Sequence, residues 1–173
     1  RSNPQNQEIE DYGAVREDGA VLHSHSRTEF FNFLSECDIL CGHNIIHHDL
    51  KYLQIPVNDN VIDTLPLSPL LFPKRPYHKL LKDDKLQVDE LNNPVNDAKK
   101  ARDLFFDEVA AWHRLSANRQ AIYSALLSGQ QAFRGLIKYV GGAISGQEVG
   151  DLIRAEYKGL ICGNADIETV AKH

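Results

Sequence analysis

The chain has 173 residues, of which 42% are apolar, and this suits one ordinary domain with its own packed core. Three cysteines without a secretory signal ahead of them predict free thiols and a cytoplasmic location. No apolar run approaches the roughly 20 residues that cross a bilayer, so no membrane partner is expected. A net charge of −5 excludes proteins that hold nucleic acid through a large excess of Lys and Arg, but it leaves open those that meet phosphate through metal ions.

The chain begins at Arg1, contains no methionine and ends at His173 inside a predicted helix. We therefore expect it to be a piece of a longer protein.

The N-terminal third alternates between extended and helical patterns. Residues 8–16 and 20–26 flank an Asp-Gly pair, which predicts a β-hairpin. Residues 28–36 carry phenylalanines at helical spacing and predict a short amphipathic helix. Residues 38–42 form a short apolar run that ends in glycine, which is typical of a buried central strand leading into a loop.

The middle of the chain continues this alternation. Residues 61–65 predict another strand, and the four prolines within 66–76 exclude a long regular element. Asn93 can cap the next helix and Pro94 fits its first position. Apolar residues then recur at steps of three and four, namely Ala98, Ala101, Phe105, Val109, Trp112 and Leu115.

Strands that alternate with helices predict a layered α/β domain over residues 1–115. Residues 116–173 read as helices broken by glycines, so we place a boundary near residue 116, with a helical extension after it.

The first candidate site lies in the loop after the predicted strand 38–42. His43 and Asn44 occupy the turn, His48 follows, and Asp49 begins the next predicted helix. The carboxyl end of a strand is where α/β folds usually place their sites. Each of these side chains by itself is more simply explained as a solvated loop residue, but the set indicates a site.

The second candidate is Asp97, in the first turn of the helix that Asn93 caps. A carboxylate is held rigidly there and is favoured by the helix dipole. Compensation of the helix dipole is enough to explain a single aspartate in a first turn. Asp97 is therefore a candidate site residue only in combination with the loop that carries His43 and Asp49.

The two stretches resemble motifs of the DEDD 3′–5′ exonucleases. Residues 42–44 followed by Asp49, then residues 61–65 before a proline-rich segment, then residues 96–98 opening a helix, are similar in order and spacing to the second and third motifs of that family. The resemblance covers roughly residues 8–115. It implies a ribonuclease-H-like mixed sheet flanked by helices.

The resemblance also implies a function, which is two-metal hydrolysis of phosphodiester bonds at the 3′ end of nucleic acid, with single-stranded DNA as the expected substrate. Asp49 and Asp97 are the implied catalytic residues and the implied ligands of Mg²⁺ or Mn²⁺, and carboxylate oxygens suit these hard cations. The implied substrate-binding residues are His43, Asn44, Asn92 and Asn93.

The sequence departs from the family in three ways. The Asp-x-Glu motif of the strand before the hairpin is not found. Either that strand lies upstream of this chain or the motif is genuinely absent, and in both cases we expect an incomplete metal site. Asn92 and Asn93 occupy the positions of the family's general base, and an amide cannot accept a proton at neutral pH. His48, or else His47 or His78, is the candidate substitute. The spacing from Asn44 to Asp49 is also one residue longer than usual.

A narrower resemblance links residues 82–97 to the exonuclease-like domain that precedes a RecQ-like helicase in some bacteria. It implies a helicase domain as partner in the same chain, with residues 116–173 as the connector.

Two other interpretations of the function stay open. One is a catalytically degenerate nuclease fold that binds nucleic acid or a helicase. The other is an HD-type metal phosphohydrolase, because His43, His48-Asp49 and Asp97 follow the order of its ligands.

Overall fold

The computed structural model describes residue 9 and residues 11–80, 93–142 and 148–171. Within these ranges the chain forms four short strands and eight helices, and helices account for about half of the residues. The four strands make two separate two-stranded sheets. The chain is therefore a mixed α/β protein, as the alternation of strands and helices predicted. None of the helices described is both long enough and apolar enough to cross a membrane.

The first sheet is the hairpin predicted around the Asp-Gly pair. Strand β1 (Tyr12–Val15) pairs antiparallel with β2 (Val21–Ser24). In the turn, Gly19 has φ +90°, which glycine adopts at little cost. The Asp18 carboxylate accepts the N–H of Ala20 at 2.8 Å and so holds the turn closed. The hairpin prediction is confirmed, although the paired strands are shorter than expected.

Helix α1 (Arg27–Leu34) follows the hairpin and covers it. The Ser26 hydroxyl accepts the N–H of Glu29 at 3.3 Å and caps the helix. Phe30 is buried, and its ring lies 4.9 Å from that of Tyr12, centroid to centroid. Contact between these rings joins the helix to β1 in a small apolar cluster.

The second sheet joins β3 (Leu40–Gly42) in parallel with β4 (Val61–Asp63), and the short helix α2 (Asp49–Leu53) lies between them in the chain. All three residues of β4 are buried. Strand β3 is only partly buried, which corrects the prediction of a buried central strand over residues 38–42. The physical reason is that β4 is the only described strand that pairs with β3, so its other edge stays open.

Helix α3 (Thr64–Leu71) begins directly after β4, whereas the sequence predicted that the strand continues to residue 65. The Asp63 carboxylate caps the helix by accepting the Leu65 N–H at 3.0 Å. Pro66 lies in the first turn, where no N–H is needed, but Pro69 removes one hydrogen bond from the interior. The helix ends soon afterwards, so the proline-rich stretch does limit regular structure.

Helix α4 (Pro94–His113) is the longest element and confirms the best-marked helix of the sequence. The Asn93 side chain accepts the Val95 N–H at 2.9 Å, and Pro94 occupies the first turn. The helix contacts β1, β3 and α3, so it lies across both sheets. Its buried residues include three of those predicted, namely Ala101, Phe105 and Trp112.

Four further helices are α5 (Ala117–Leu127), α6 (Gln131–Tyr139), α7 (Val149–Glu156) and α8 (Ile167–Val170). Helix α6 packs on β4, and α7 packs on α5. The main apolar core therefore combines residues from both sides of position 116, namely Ile62, Leu67, Phe105, Trp112 and Leu136.

Gly135 makes the close packing of α6 on β4 possible. A methyl group at this position would overlap the carbonyl oxygen of Val61. We expect Gly135→Ala to lower the free energy of unfolding by about 1 to 3 kcal/mol, although alanine is the better helix former. Urea denaturation measures this change. Gly129→Ala is the matched control because its methyl group would enter open space, and equal losses in both variants would contradict the packing argument.

Candidate functional site

A cleft of about 1290 Å³, called the central cleft below, lies between the two sheets. All residues of β1 and β3 line it, whereas their partner strands β2 and β4 contribute no lining residue. Helix α4 lines one side, and α1 and α2 line another. The central cleft is therefore bounded by the edges of β1 and β3 that carry no described partner strand.

The loop after β3 is fixed by a buried carboxylate. Asp63 is 1% exposed, and its two oxygens accept the N–H groups of Asn44 at 2.8 Å and Ile46 at 3.1 Å. Asn44 has φ +61°, a left-handed conformation that asparagine tolerates better than most residues. The sequence placed Asp63 in a strand and gave it no role. Asp63 lies at the carboxyl end of β4, beside the loop that follows β3. This position in the sequence pattern could have indicated that its carboxylate contacts that loop.

His43 is oriented by Thr64, the first residue of α3. Its Nδ1 lies 2.9 Å from the Thr64 hydroxyl, which in turn lies 3.5 Å from the carbonyl oxygen of Gly42. Burial lowers the pKa of His43 below its usual value, while Asp63 acts in the opposite direction. The imidazole is therefore neutral at pH 7. If the Thr64 hydroxyl donates to Gly42, Nδ1 carries the hydrogen and Nε2 is an acceptor.

The other nitrogen of His43 has no partner. Nε2 is buried and makes no hydrogen bond within the part of the chain that the structure describes. His43 lines the central cleft. This nitrogen can accept a hydrogen bond from a donor in the cleft, and the substrate-binding role of His43 stays a prediction.

Asp49 and His48 lie together at the start of α2. The Nδ1 atom of His48 is 3.6 Å from Oδ1 of Asp49, and both side chains are about half exposed (54% and 52%). Partial burial raises the pKa of Asp49, and the neighbouring His48 opposes that rise. The pair can thus share a proton or bind a ligand together, although solvent weakens the interaction between them.

Asp97 lies on the other side of the same cleft. It is an exposed residue of the first turn of α4 and lines the central cleft together with Asp49. The two aspartates are far apart in sequence, and the fold brings both to one cavity. His43, Asn44 and His48 also line it.

The structure does not test the substrate-binding role predicted for Asn92 and Asn93. The side chain of Asn93 is used as the cap of α4 and is not among the residues that line the central cleft. Asn92 lies outside the described residues, so its prediction stays untested.

Glu108 is a titratable residue that the sequence reasoning missed. It is 0% exposed, and neither carboxyl oxygen has a hydrogen-bond partner within the described ranges. Burial raises its pKa from 4.5 to about 9, the negative charge of Asp63 adds to the rise, and Arg75 opposes it. Its burial could have been predicted from the sequence, because Glu108 falls between Phe105 and Trp112 on the apolar face of α4.

The donor set of the central cleft only partly fits a divalent metal. Carboxylate oxygens are suitable ligands for Mg²⁺ or Mn²⁺, and Asp49 and Asp97 supply two of them. Among the residues that the structure describes, however, no three His, Cys, Asp or Glu side chains are grouped closely enough to hold an ion. The described residues alone therefore do not make a complete two-ion site, and the prediction of bound Mg²⁺ or Mn²⁺ stays untested.

A basic segment, residues 74–79, follows α3, and two of its side chains contact the α3 region. Arg75 stacks on the Phe72 ring at 3.8 Å, and His78 lies 2.9 Å from the Ser68 hydroxyl. Lys79 lines the central cleft and is exposed, so it can attract an anionic strand to the rim.

No family model matches the sequence, and no match was found among curated proteins or among solved structures.

Proposed function

We propose that the chain is a DEDD-type 3′–5′ exonuclease domain with a ribonuclease-H-like fold, part of a helicase-linked protein that processes DNA. One observation carries the proposal. Asp49, Asp97, His43 and Asn44, which the sequence selected from two distant stretches, all line the central cleft. The meeting of these four residues in one cleft supports the proposal. It is not specific to nucleases, because most elements of the N-terminal part contribute residues to this cleft.

The arrangement of the strands supports the fold assignment. A hairpin followed by helix, strand, helix and strand, with the last two strands parallel, is compatible with the expected mixed sheet. The two strand pairs are separate, and the central cleft lies between β1 and β3. The proposed sheet also includes the strand of the Asp-x-Glu motif, which is not found in this sequence, so the described strands account for only part of it.

The residues present define what this chain contributes. Asp49 and Asp97 hold part of a divalent-ion site, and the ions when bound stabilise the charge of the phosphodiester in hydrolysis. His43 and Asn44 position the 3′ end of the strand. His48, beside Asp49 and half exposed, is placed to accept a proton from water in the role that Asn92 and Asn93 cannot fill.

The proposal is tested by metal binding and by nuclease activity. We expect Asp49→Asn and Asp97→Asn each to weaken Mn²⁺ binding, followed by electron paramagnetic resonance, by about tenfold or more. Asp107→Asn is the matched control, because Asp107 is exposed on α4 but does not line the central cleft. Unchanged Mn²⁺ affinity in both cleft variants would show that these aspartates do not share an ion.

A nuclease assay separates the enzyme from the degenerate scaffold. Labelled single-stranded DNA is incubated with the chain and Mg²⁺ or Mn²⁺. Metal-dependent shortening that both cleft variants abolish supports the exonuclease, whereas DNA binding without shortening favours the scaffold. The absence of a histidine or tyrosine base at positions 92 and 93 is the observation that favours the scaffold.

The HD-type phosphohydrolase is the weaker alternative. His43, His48, Asp49 and Asp97 do line one cleft, but they do not form a metal-binding group within the described residues. That fold is all helical, and the strands β1 to β4 do not fit it.

A further inference from the structure

The basic segment, residues 74–79, carries a dense run of positive side chains. It contains Lys74, Arg75 and Lys79, all three are exposed, and residues 64–80 include no Asp or Glu. Arg75 acts on the buried Glu108, but the pKa of Glu108, raised to about 9, leaves this carboxyl uncharged at pH 7. The segment therefore presents a positive surface on a chain whose net charge is −5.

The basic segment is held on the protein near both of its ends. Arg75 donates its N–H to the carbonyl oxygen of Phe72 at 3.0 Å, which closes a turn, and its guanidinium lies 3.8 Å from the centre of the Phe72 ring. Further along, Nδ1 of His78 lies 2.9 Å from the hydroxyl of Ser68, a buried residue of α3. The backbone between these two points is therefore positioned in advance, which lowers the entropy cost of binding a ligand.

Tyr77 lies between these two fixed points and is 77% exposed. A single exposed tyrosine by itself needs no function, and basic residues after a helix also stabilise its dipole. An exposed ring beside cations is, however, the combination that binds single-stranded nucleic acid, because the ring stacks on an unpaired base while the cations meet phosphates. An acidic peptide would meet the same charges but offers no base to stack on the ring.

The basic segment leads into the central cleft. Lys79 and Leu80 line the cleft. Tyr77 is two residues before Lys79, so their Cα atoms are at most about 7 Å apart. A nucleic-acid strand whose end lies in the cleft can therefore reach Tyr77.

We propose that the basic segment binds single-stranded nucleic acid, with Tyr77 stacked on one unpaired base and with Lys74 and Lys79 in contact with neighbouring phosphates. The inference rests on the proposed function for the identity of the ligand. It requires neither a bound metal nor Asp49 and Asp97, because stacking and phosphate contacts hold the strand without any chemical step.

The test of stacking is the affinity of the full chain for a fluorescein-labelled oligo-thymidine, measured by fluorescence anisotropy in EDTA. We expect Tyr77→Ala to weaken binding by about fivefold or more, because the base loses the ring, and Tyr77→Phe to stay within about twofold, because the ring remains. Leu160→Ala is the matched control, since Leu160 is an 83% exposed apolar residue outside the basic segment, and it should leave the affinity unchanged. Equal affinities of Tyr77→Ala and Tyr77→Phe would overturn the proposal.

Replacing Lys74 and Lys79 together by glutamine tests the phosphate contacts. Each contact with a single strand contributes about 0.7 to the slope of log affinity against log salt concentration, so we expect the slope to become shallower by about 1.4. Lys51→Gln combined with Lys158→Gln is the control, because both lysines are exposed and lie outside the basic segment. Equal slopes in the two double variants would contradict the phosphate contacts. Circular dichroism establishes folding, and if Tyr77→Ala does not fold, the lysine pair decides alone.

Two further ligands separate base stacking from general attraction of anions. Duplex DNA and polyglutamate offer negative charge without unpaired bases, so we expect Tyr77→Ala to leave their binding unchanged. An equal loss on all three ligands would show a general anion-binding surface and would overturn the proposal. No binding of oligo-thymidine by the natural chain in EDTA would also overturn it. In that case weaker Mn²⁺ binding by Asp49→Asn and Asp97→Asn would still support the nuclease, so the two proposals fail separately.

Discussion

Replacing Glu108 by glutamine is expected to stabilise the protein increasingly as the pH rises. Glu108 is fully buried, its carboxyl oxygens have no hydrogen-bond partner among the described residues, and its pKa is raised from 4.5 to about 9. The folded protein therefore keeps this proton between these pH values while the unfolded chain releases it. By linkage, the free energy of unfolding falls as pH rises from 4.5 to about 9 and is flat beyond. The total loss is several kcal/mol, at up to about 1.4 kcal/mol per pH unit.

The measurement is urea denaturation of the natural protein and Glu108→Gln at several pH values from 4 to about 9, within the span where the linkage acts. Only the difference between the two proteins is used, because it cancels the contributions of other titrating groups. Asp103→Asn is the control, since Asp103 is an exposed carboxylate of the same helix. A difference that does not grow with pH would show that Glu108 is ionised in the folded protein.

Replacing Asp63 by alanine is expected to have the second large effect on stability. Its carboxylate accepts the N–H groups of Asn44, Ile46 and Leu65, and the residue is 1% exposed. Removing it leaves three partly buried donors without their acceptor, and each costs about 1 to 3 kcal/mol. We expect the free energy of unfolding to fall by about 3 to 9 kcal/mol, and chemical denaturation measures it.

Two further variants define this role of Asp63. Asp63→Asn keeps one acceptor oxygen, so we expect an intermediate loss. Asp59→Ala is the control, because Asp59 forms an exposed ion pair with Arg134 at 3.5 Å, and such pairs contribute less than about 1 kcal/mol. Hydrogen exchange at the amides of Asn44 and Ile46 should accelerate in Asp63→Ala. If these amides stay protected, another group holds the loop.

Local sequence patterns located the candidate residues but not their roles. The hairpin, α1 and α4 could be predicted because turn chemistry, helix caps and apolar spacing are properties of neighbouring residues. Asp49 and Asp97 were selected in the same way. The sequence predicted Asn93 both as the cap of α4 and as a substrate-binding residue, because one side chain can serve either purpose. The structure shows the cap, and the substrate-binding role stays a prediction.

The sequence by itself determined the order of strands and helices, the free thiols expected of three cysteines and the residue types available for a site. Only the tertiary structure decided that Asp63 holds the loop after β3, that Glu108 is buried with no hydrogen-bond partner in the part of the chain described, and that β1 and β3 face one cleft. The physical reason is distance along the chain. Caps and turns form between residues a few positions apart, whereas burial, pKa shifts and strand edges depend on which remote segments pack together.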